Sequence, residues 1–307
     1  MSEGERPVVA VVGATASGKS ALAIELAERL GGEIVNADSM QVYRGMNIGT
    51  AKATLDEQAR VRHHLLDVWD IDHDVTVAQY QPLARAAVED IRRRDRLPLV
   101  TGGSGLYVRA VLDDLQFPGT DAEVRARLEA ELESEGSVAL HQRLAELDPA
   151  AGLAIPATNG RRIVRALEVI EITGMPFTAT LPDEKPVYSD VRIGLEVPPT
   201  VLAVRITTRV HRMWEQGFVD EVRELHGLVE GRTAARALGY AQVRQLLAGE
   251  IDENTAIDET VVATRRFAKR QLTWFRRDQR VQWLPFDAPD LVDRAAAILP
   301  SLFEPAH

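Results

Sequence analysis

The 307-residue chain contains no cysteine. That absence excludes disulfides, thiolate-held zinc and a cysteine nucleophile together, and it suits a reducing compartment. Aromatic residues are scarce, at 5%. Long apolar runs are missing too: the opening MSEGERP is polar and acidic-leaning, and the run after it is too short for a secretory signal or a membrane span. The expectation is a soluble, cytoplasmic protein without a membrane partner. Positive charge is in deficit, with 36 Lys and Arg against 46 Asp and Glu and a formal net charge of −10. This argues superficially against a nucleic-acid partner, but binding depends on where cations cluster rather than on their sum. A hydrophobic share of 45% is enough for real cores, and the length suits one main α/β unit with a second, smaller one.

The stretch VVAVVGATASGKSALAIELAERLGG, Val8 to Gly32, reads as a buried strand, a Gly-rich turn and a helix. Gly13, Gly18, Lys19 and Ser20 match G-x-x-x-x-G-K-[ST], the phosphate loop. In that motif backbone N–H groups and a helix N-terminus wrap phosphate oxygens, the Lys adds a point charge and the Ser hydroxyl a magnesium ligand. The context agrees with the motif. Val8 to Val12 form an apolar run before the glycines, and Leu22, Leu26 and Leu30 recur at helical spacing up to the stop signal Gly31–Gly32.

Further along, a short strand around Glu33 to Val35 ends in the polar cluster Asn36, Asp38, Ser39. HHLLDVWDI is a second candidate strand, and AQYQPLARAAVEDIRRRDR a helix with Leu83, Ala87 and Ile91 on one face. Leu97 to Thr101 is a third strand running into glycines and a helix, so the alternation predicts a parallel sheet covered by helices. From about Phe117 the strands stop. A capping box, Thr120 to Glu123, opens three amphipathic helices marked by Val124, Leu128 and Leu132, by Leu140, Leu144 and Leu147, and by Ile163, Leu167 and Ile170. The fold expected is therefore α/β, a P-loop NTPase-like parallel sheet with flanking helices plus a small all-helical insertion. The core is expected over 1–116 and 196–307 and the insertion over 117–195. The Pro-rich LPDEKPVYSD brings the chain back, VRIGLEVPP and LAVRI look like strands, and long helices follow, including TRVHRMWEQGFVDEVRELHGLV.

One feature departs from a P-loop ATPase. The strand LPLVTGGSG ends in Thr101, glycines and Ser104, with no carboxylate to organise magnesium and hydrolysis, although Asp67 or Asp70 of LLDVWD could stand in. Asp38 is the carboxylate chosen as functional: facing a phosphate loop, it can serve as general base, as outer-sphere magnesium ligand or merely as an Asx-turn. The late run TRRFAKRQLTWFRRDQR carries Arg265, Arg266, Lys269, Arg270, Arg276, Arg277 and Arg280 against Asp278 alone, interleaved with Phe267, Trp274 and Phe275. On a helix, Arg266, Arg270 and Arg277 form one stripe and Arg265, Lys269, Arg276 and Arg280 its neighbour. Concentrated cation with aromatics in an acidic protein points to a phosphate backbone and unstacked bases rather than a solvated face. Arg161, Arg162 and Arg165 form a smaller basic group in the insertion.

In order along the chain, GATASGKS, NADSMQVYRGMNIGTAK, HHLLD, TGGSGLYVRAVL, GRRIVRALEV, ALGYAQV and TRRFAKRQLTWFRR resemble the tRNA isopentenyltransferase family over about Val8 to Trp283. That resemblance implies transfer of a dimethylallyl group from dimethylallyl diphosphate to N6 of the adenosine just 3′ of the anticodon, with magnesium present and pyrophosphate released. It implies that Gly13, Ala14, Thr15, Ala16, Ser17, Gly18, Lys19 and Ser20 hold the diphosphate, Ser20 with the magnesium. Catalytic roles fall to Asp38 as general base, Lys19, Ser104 and Arg209. Contacts to tRNA fall to Asp38, Ser39, Met40 and Gln41, to Arg161, Arg162 and Arg165, and to Arg265, Arg266, Lys269, Arg270, Arg276 and Arg277. The helical insertion would be a tRNA-gripping arm, and a monomer is expected. Ala14, Ser20 and Ser104 stand where many relatives have Pro, Thr and Thr; the two Ser changes keep the hydroxyl chemistry, and the change at Ala14 bears on loop rigidity. A Cys-free chain has no C-terminal zinc finger and looks like the short bacterial form. A P-loop small-molecule kinase leaves the basic helix idle, a free-adenylate isopentenyltransferase needs no long cationic stripe, and a non-catalytic RNA-binding protein leaves Lys19 and Asp38 unexplained.

Overall fold

A computed structural model describes residues 6–177, 185–228 and 233–299. Six parallel strands form one sheet in the order β3-β2-β4-β1-β5-β6: β1 Val8–Val12, β2 Gly32–Asn36, β3 His63–His64, β4 Leu97–Gly102, β5 Asp190–Glu196 and β6 Val281–Pro285. The five apolar residues of β1 are wholly buried because the strand is central and covered on both faces. Its side chains alternate, so Val8, Ala10 and Val12 join one core while Val9 and Val11 join the other. Helix α1, Lys19–Leu30, buries Leu22 and Leu26 in the second core and stops at Gly31, whose φ of 66° suits glycine.

Helices α2, Leu55–Arg60, α3, Val77–Arg93, and α4, Gly105–Leu112, complete the first half of this unit. The buried face of α3 is Tyr80, Ala84, Val88 and Ile91, and Leu83, expected inside, is exposed. The segment HHLLDVWDI pairs only through His63 and His64. Left-handed backbone at Leu65 and Asp67 ends the strand there, leaving an isolated bridge from Trp69 to Tyr43.

The second compact unit spans Asp114–Lys185 rather than 117–195. Residues 186–195 belong with the core because β5 is hydrogen-bonded between β1 and β6. Its helices are α5, Ala122–Leu147, with a non-helical Gly136 inside, α6, Pro149–Ala154, and α7, Gly160–Thr173. Leu128, Leu140, Leu144, Ile163 and Leu167 form its core. The cap of α5 is Asp121, not Thr120, and its carboxylate accepts from the N–H groups of Glu123 and Val124. The Pro-rich return lies partly outside the described residues, as do residues 1–5 and the last eight positions.

The remaining helices, α8, Pro199–Glu215, α9, Phe218–Glu224, α10, Tyr240–Leu247, α11, Glu253–Phe275, and α12, Leu291–Ala297, belong to the first unit. LAVRI, expected as a strand, is part of α8: Leu202, Ile206, Val210 and Met213 are buried at helical spacing behind Pro199. The long helix expected after it breaks at Gly217, φ 91°, into α8 and α9.

Candidate active site

The phosphate loop joins β1 to α1 at the carboxyl edge of the sheet, where open α/β sheets place ligands. Gly13 and Gly18 take φ of 146° and 103°, and the non-glycine Ala16 takes 62°. Such backbone costs Ala16 of the order of 1 kcal/mol and persists where a loop must aim its amides. The Ser17 hydroxyl is buried with no hydrogen-bond partner among the described residues. Lys19 donates to the Ala14 carbonyl at 3.2 Å. Burial, and then the charge of Arg209, pull its ammonium down to about 8 against the opposing pull of Asp38. One orphaned hydroxyl and a depressed lysine together describe a site arranged for an anion.

The facing wall is the loop after β2. The Asn36 side chain ties it down, accepting from Asp38 N–H at 3.0 Å and donating to Leu65 O at 3.1 Å, while Tyr80 OH donates to Asn36 O at 2.8 Å. Asp38 Oδ1 accepts from Met40 N–H at 2.9 Å, so the Asx-turn is real. Its other oxygen has no hydrogen-bond partner among the described residues, and Asp38 lines a cavity of about 290 Å³ with Thr15, Ser39, Met40 and Arg209. Ser104, at the N-cap of α4, accepts from Ser39 N–H and donates to Ser39 Oγ, both at 3.2 Å. Gly102 makes this approach possible, since a Cβ there would stand 2.2 Å from Ala37 O. Gln41 turns away to hold the Thr50 and Ala51 carbonyls at 3.1 and 3.2 Å.

Helix α8 closes the third side. Arg209 stands between the small cavity and a larger cleft of about 970 Å³ that holds Lys19 and Ser20. Burial holds its pKa below the ordinary arginine value, with the neighbouring Asp38 charge opposing only in part. Arg205 and Arg212 line the same cleft, so three arginines share the face of α8 towards Lys19. Arg205 is concealed in the sequence because LAVRI reads as a strand, and Arg212, on the expected helix, has no local pattern that sets it towards Lys19. Gln271, which bonds Thr15 N–H at 2.8 Å, was also unseen: no local pattern links residues 256 positions apart.

On α11, Arg266, Lys269 and Arg270 are exposed and, with Thr273, Trp274 and Arg277, line a groove of about 410 Å³. The stripe is shorter than expected because α11 ends at Phe275. Arg265 is engaged by Thr207 Oγ1 at 2.9 Å and Arg276 by Glu196 at 3.3 Å. Arg280 bonds Asp113 and Asp278, both at 2.8 Å, and leaves the stripe altogether. In the helical unit Arg161 and Arg162 are exposed, whereas Arg165 pairs with Glu168 at 2.7 Å and bonds Pro118 O at 2.6 Å. Asp67 and Asp70 are committed to Lys52, at 2.5 Å, and to Arg44, at 2.9 Å, rather than free to replace the missing carboxylate. Among the described residues no group of three or more His, Asp or Glu could hold a metal, and no helix is long and apolar enough to cross a membrane.

Comparison with known proteins identifies the family. The family model described as IPP transferase matches residues 41–278. The tRNA dimethylallyltransferase of Thermobifida fusca is 62% identical over 299 residues, covering 95% of this chain and 94% of its own. That of Streptomyces avermitilis is 61% identical over 288 residues, covering 93% and 92%. The crystal structure of the tRNA isopentenylpyrophosphate transferase from Bacillus halodurans superimposes with a TM-score of 0.71 at 40% identity over 97% of this chain and 98% of that one. A eukaryotic dimethylallyltransferase acting on tRNA shares the fold, with a TM-score of 0.82 at 24% identity over 95% and 78%. With two such curated relatives matched over nearly their whole length, this chain belongs to the tRNA dimethylallyltransferase family.

Proposed function

We propose that this enzyme transfers the dimethylallyl group of dimethylallyl diphosphate to N6 of the adenosine 3′-adjacent to the anticodon of tRNA and releases pyrophosphate. The observation that carries the reading is the convergence of Asp38, with one carboxylate oxygen unpartnered, and the cationic pair Lys19 and Arg209. One side is suited to take a proton and the other to receive a leaving anion.

The balance of the step follows from these groups. The allylic C–O bond breaks, its electron pair stays on the departing diphosphate, the N6 lone pair forms the new C–N bond, and the N6 proton passes to Asp38. The adenine amine is weakly nucleophilic because its lone pair is delocalised, so proton removal during attack helps. Negative charge grows on pyrophosphate, where loop amides, Lys19 and the α8 arginines can stabilise it as it develops. Gly13 to Ser20 would enclose the diphosphate. A magnesium ion fits this donor set: Ser20, exposed in the cleft beside Lys19, would hold it together with diphosphate oxygens and waters. When bound, it adds charge stabilisation to the leaving group.

The tRNA would lie on Arg266, Lys269, Arg270 and Arg277, with Arg161 and Arg162 of the helical unit as a second contact and Ser39, Met40 and Ser104 beside the base. Arg165, Arg265 and Arg276 would contribute through their present partners. The target base leaves its stack most cheaply from a single-stranded loop, and an anticodon loop meets that condition. We take the working unit to be a monomer acting in the cytoplasm. The test is incubation with unmodified tRNA, labelled dimethylallyl diphosphate and magnesium. The result required is isopentenylated adenosine and pyrophosphate in equal amounts without ATP. Unmodified tRNA together with γ-phosphoryl transfer from ATP to any acceptor would overturn it.

A further inference from the structure

Gln271 sits on α11 and is only 5% exposed. Both ends of its amide are used: Oε1 accepts from Thr15 N–H at 2.8 Å and Nε2 donates to Gly103 O at 2.9 Å. The partners fix the amide orientation, because a backbone N–H can only donate and a carbonyl only accept. Gly103 leaves room for it, since a Cβ there would stand 2.1 Å from Gln271 Nε2. Thr15 belongs to the phosphate loop after β1, and Gly103 precedes Ser104 after the neighbouring strand β4. One turn further on, Trp274 packs so closely on Gly105 that a Cβ there would stand 2.1 Å from its indole nitrogen. The residues just before Gln271, Lys269 and Arg270, are exposed cations of the groove described above. One helix thus carries the cations outwards and, through Gln271, grips two loops of the site inwards.

We propose that Gln271 is a positioning residue for the transfer: by pinning the Thr15 amide and the Gly103 carbonyl to the cation-bearing helix, it holds the diphosphate loop and Ser104 in register with the face that receives tRNA. The inference rests on the proposed function, and it assigns Gln271 a role that packing alone would not require. An apolar residue of similar length could fill the space, but it would leave a partly buried donor and a buried acceptor unpaired.

Two substitutions test it. Gln271→Met keeps the length and loses both hydrogen bonds. It should weaken dimethylallyl diphosphate binding and slow the single-turnover rate, each by about tenfold or more, while binding of an anticodon stem-loop stays within about twofold. Gln271→Glu provides a signature that a filler would not give. Ionised, its carboxylate can accept from Thr15 but cannot donate to Gly103, whereas protonated it restores both bonds. The ratio of its rate to the wild-type rate should therefore rise as pH falls, while the Gln271→Met ratio stays flat. Wild-type binding and rate in Gln271→Met, or a flat ratio for Gln271→Glu, would overturn the assignment. Calorimetric binding of dimethylallyl diphosphate separates the two claims: a wild-type protein that binds it yet modifies no tRNA refutes the proposed function, while the affinity of Gln271→Met still decides the pin.

Discussion

Lys19 should take up a proton when the diphosphate binds. Burial first and Arg209 second hold its ammonium at about 8 in the free protein, while Asp38 opposes them. A bound diphosphate adds negative charge beside it and returns the pKa towards the ordinary lysine value near 10.4. The free site lacks about one-tenth of a proton at pH 7, about half at pH 8 and about nine-tenths at pH 9, and the complex lacks almost none. Isothermal calorimetry of dimethylallyl diphosphate binding, repeated in buffers of different ionisation enthalpy, measures that difference directly. Uptake should climb through these values, and affinity should be level below pH 8 and fall above it, approaching tenfold per pH unit. Lys19→Met should abolish the climb. Arg209→Gln removes the second cause of the depression and should move the midpoint upwards. No uptake through pH 9, or the same uptake in Lys19→Met, would refute the reasoning.

Reversing Arg270 and Arg277 to Glu together should weaken tRNA binding, lower its dependence on log salt by roughly one to two and leave dimethylallyl diphosphate binding unchanged; an unaltered slope would return these cations to a solvated face. Arg192, 2% exposed, bonds Asp113, Asp190 and Asp278, each at 2.6 Å. Arg192→Met strands buried carboxylates and should cost about 3 kcal/mol in chemical denaturation, whereas a loss under about 1 kcal/mol would show the network to be dispensable. Burial pushes the Asp278 carboxyl up, but Arg280 and Arg192 prevail and hold it at about 2. Because its folded pKa is depressed, this stabilisation is present above the ordinary carboxylate range near 4 and is lost as pH falls from there towards 2.

What the sequence discloses and what it conceals divide along a physical line. The phosphate loop is legible because its function lies in local backbone geometry, which Gly13, Gly18 and the flanking apolar runs prescribe within a few residues. The central strands are legible because burial on both faces leaves continuous apolar runs, and β1 and β4 show this. Short apolar stretches carry less information: LAVRI suits either strand or helix, and only tertiary packing of Leu202 and Ile206 makes it part of α8. The strand reading of LAVRI hides Arg205, whereas Arg212 falls in the stretch that does read as a helix and is concealed only because no local pattern sets it towards Lys19. For Asp38 the residues alone allow both an Asx-turn and a base, and the structure accommodates both, one oxygen serving the turn and the other unpartnered. Arg209 emerges from the family resemblance, and Gln271 only from the folded chain, since its partners are distant in sequence. Arg280 shows the converse, a cation that looks like part of a binding stripe but belongs to a partly buried ion network.

The central claim is that Asp38 accepts the N6 proton while the loop and its cations receive the diphosphate. Asn has the size of Asp and keeps the Oδ1 acceptor for Met40 N–H, but it cannot take a proton. The decisive measurement is the single-turnover rate of dimethylallyl transfer to tRNA by Asp38→Asn, with tRNA and diphosphate affinities measured on the same protein. The account predicts a rate lower by about 10²-fold or more with both affinities within a few-fold of wild type. A near-normal rate in that variant would contradict it.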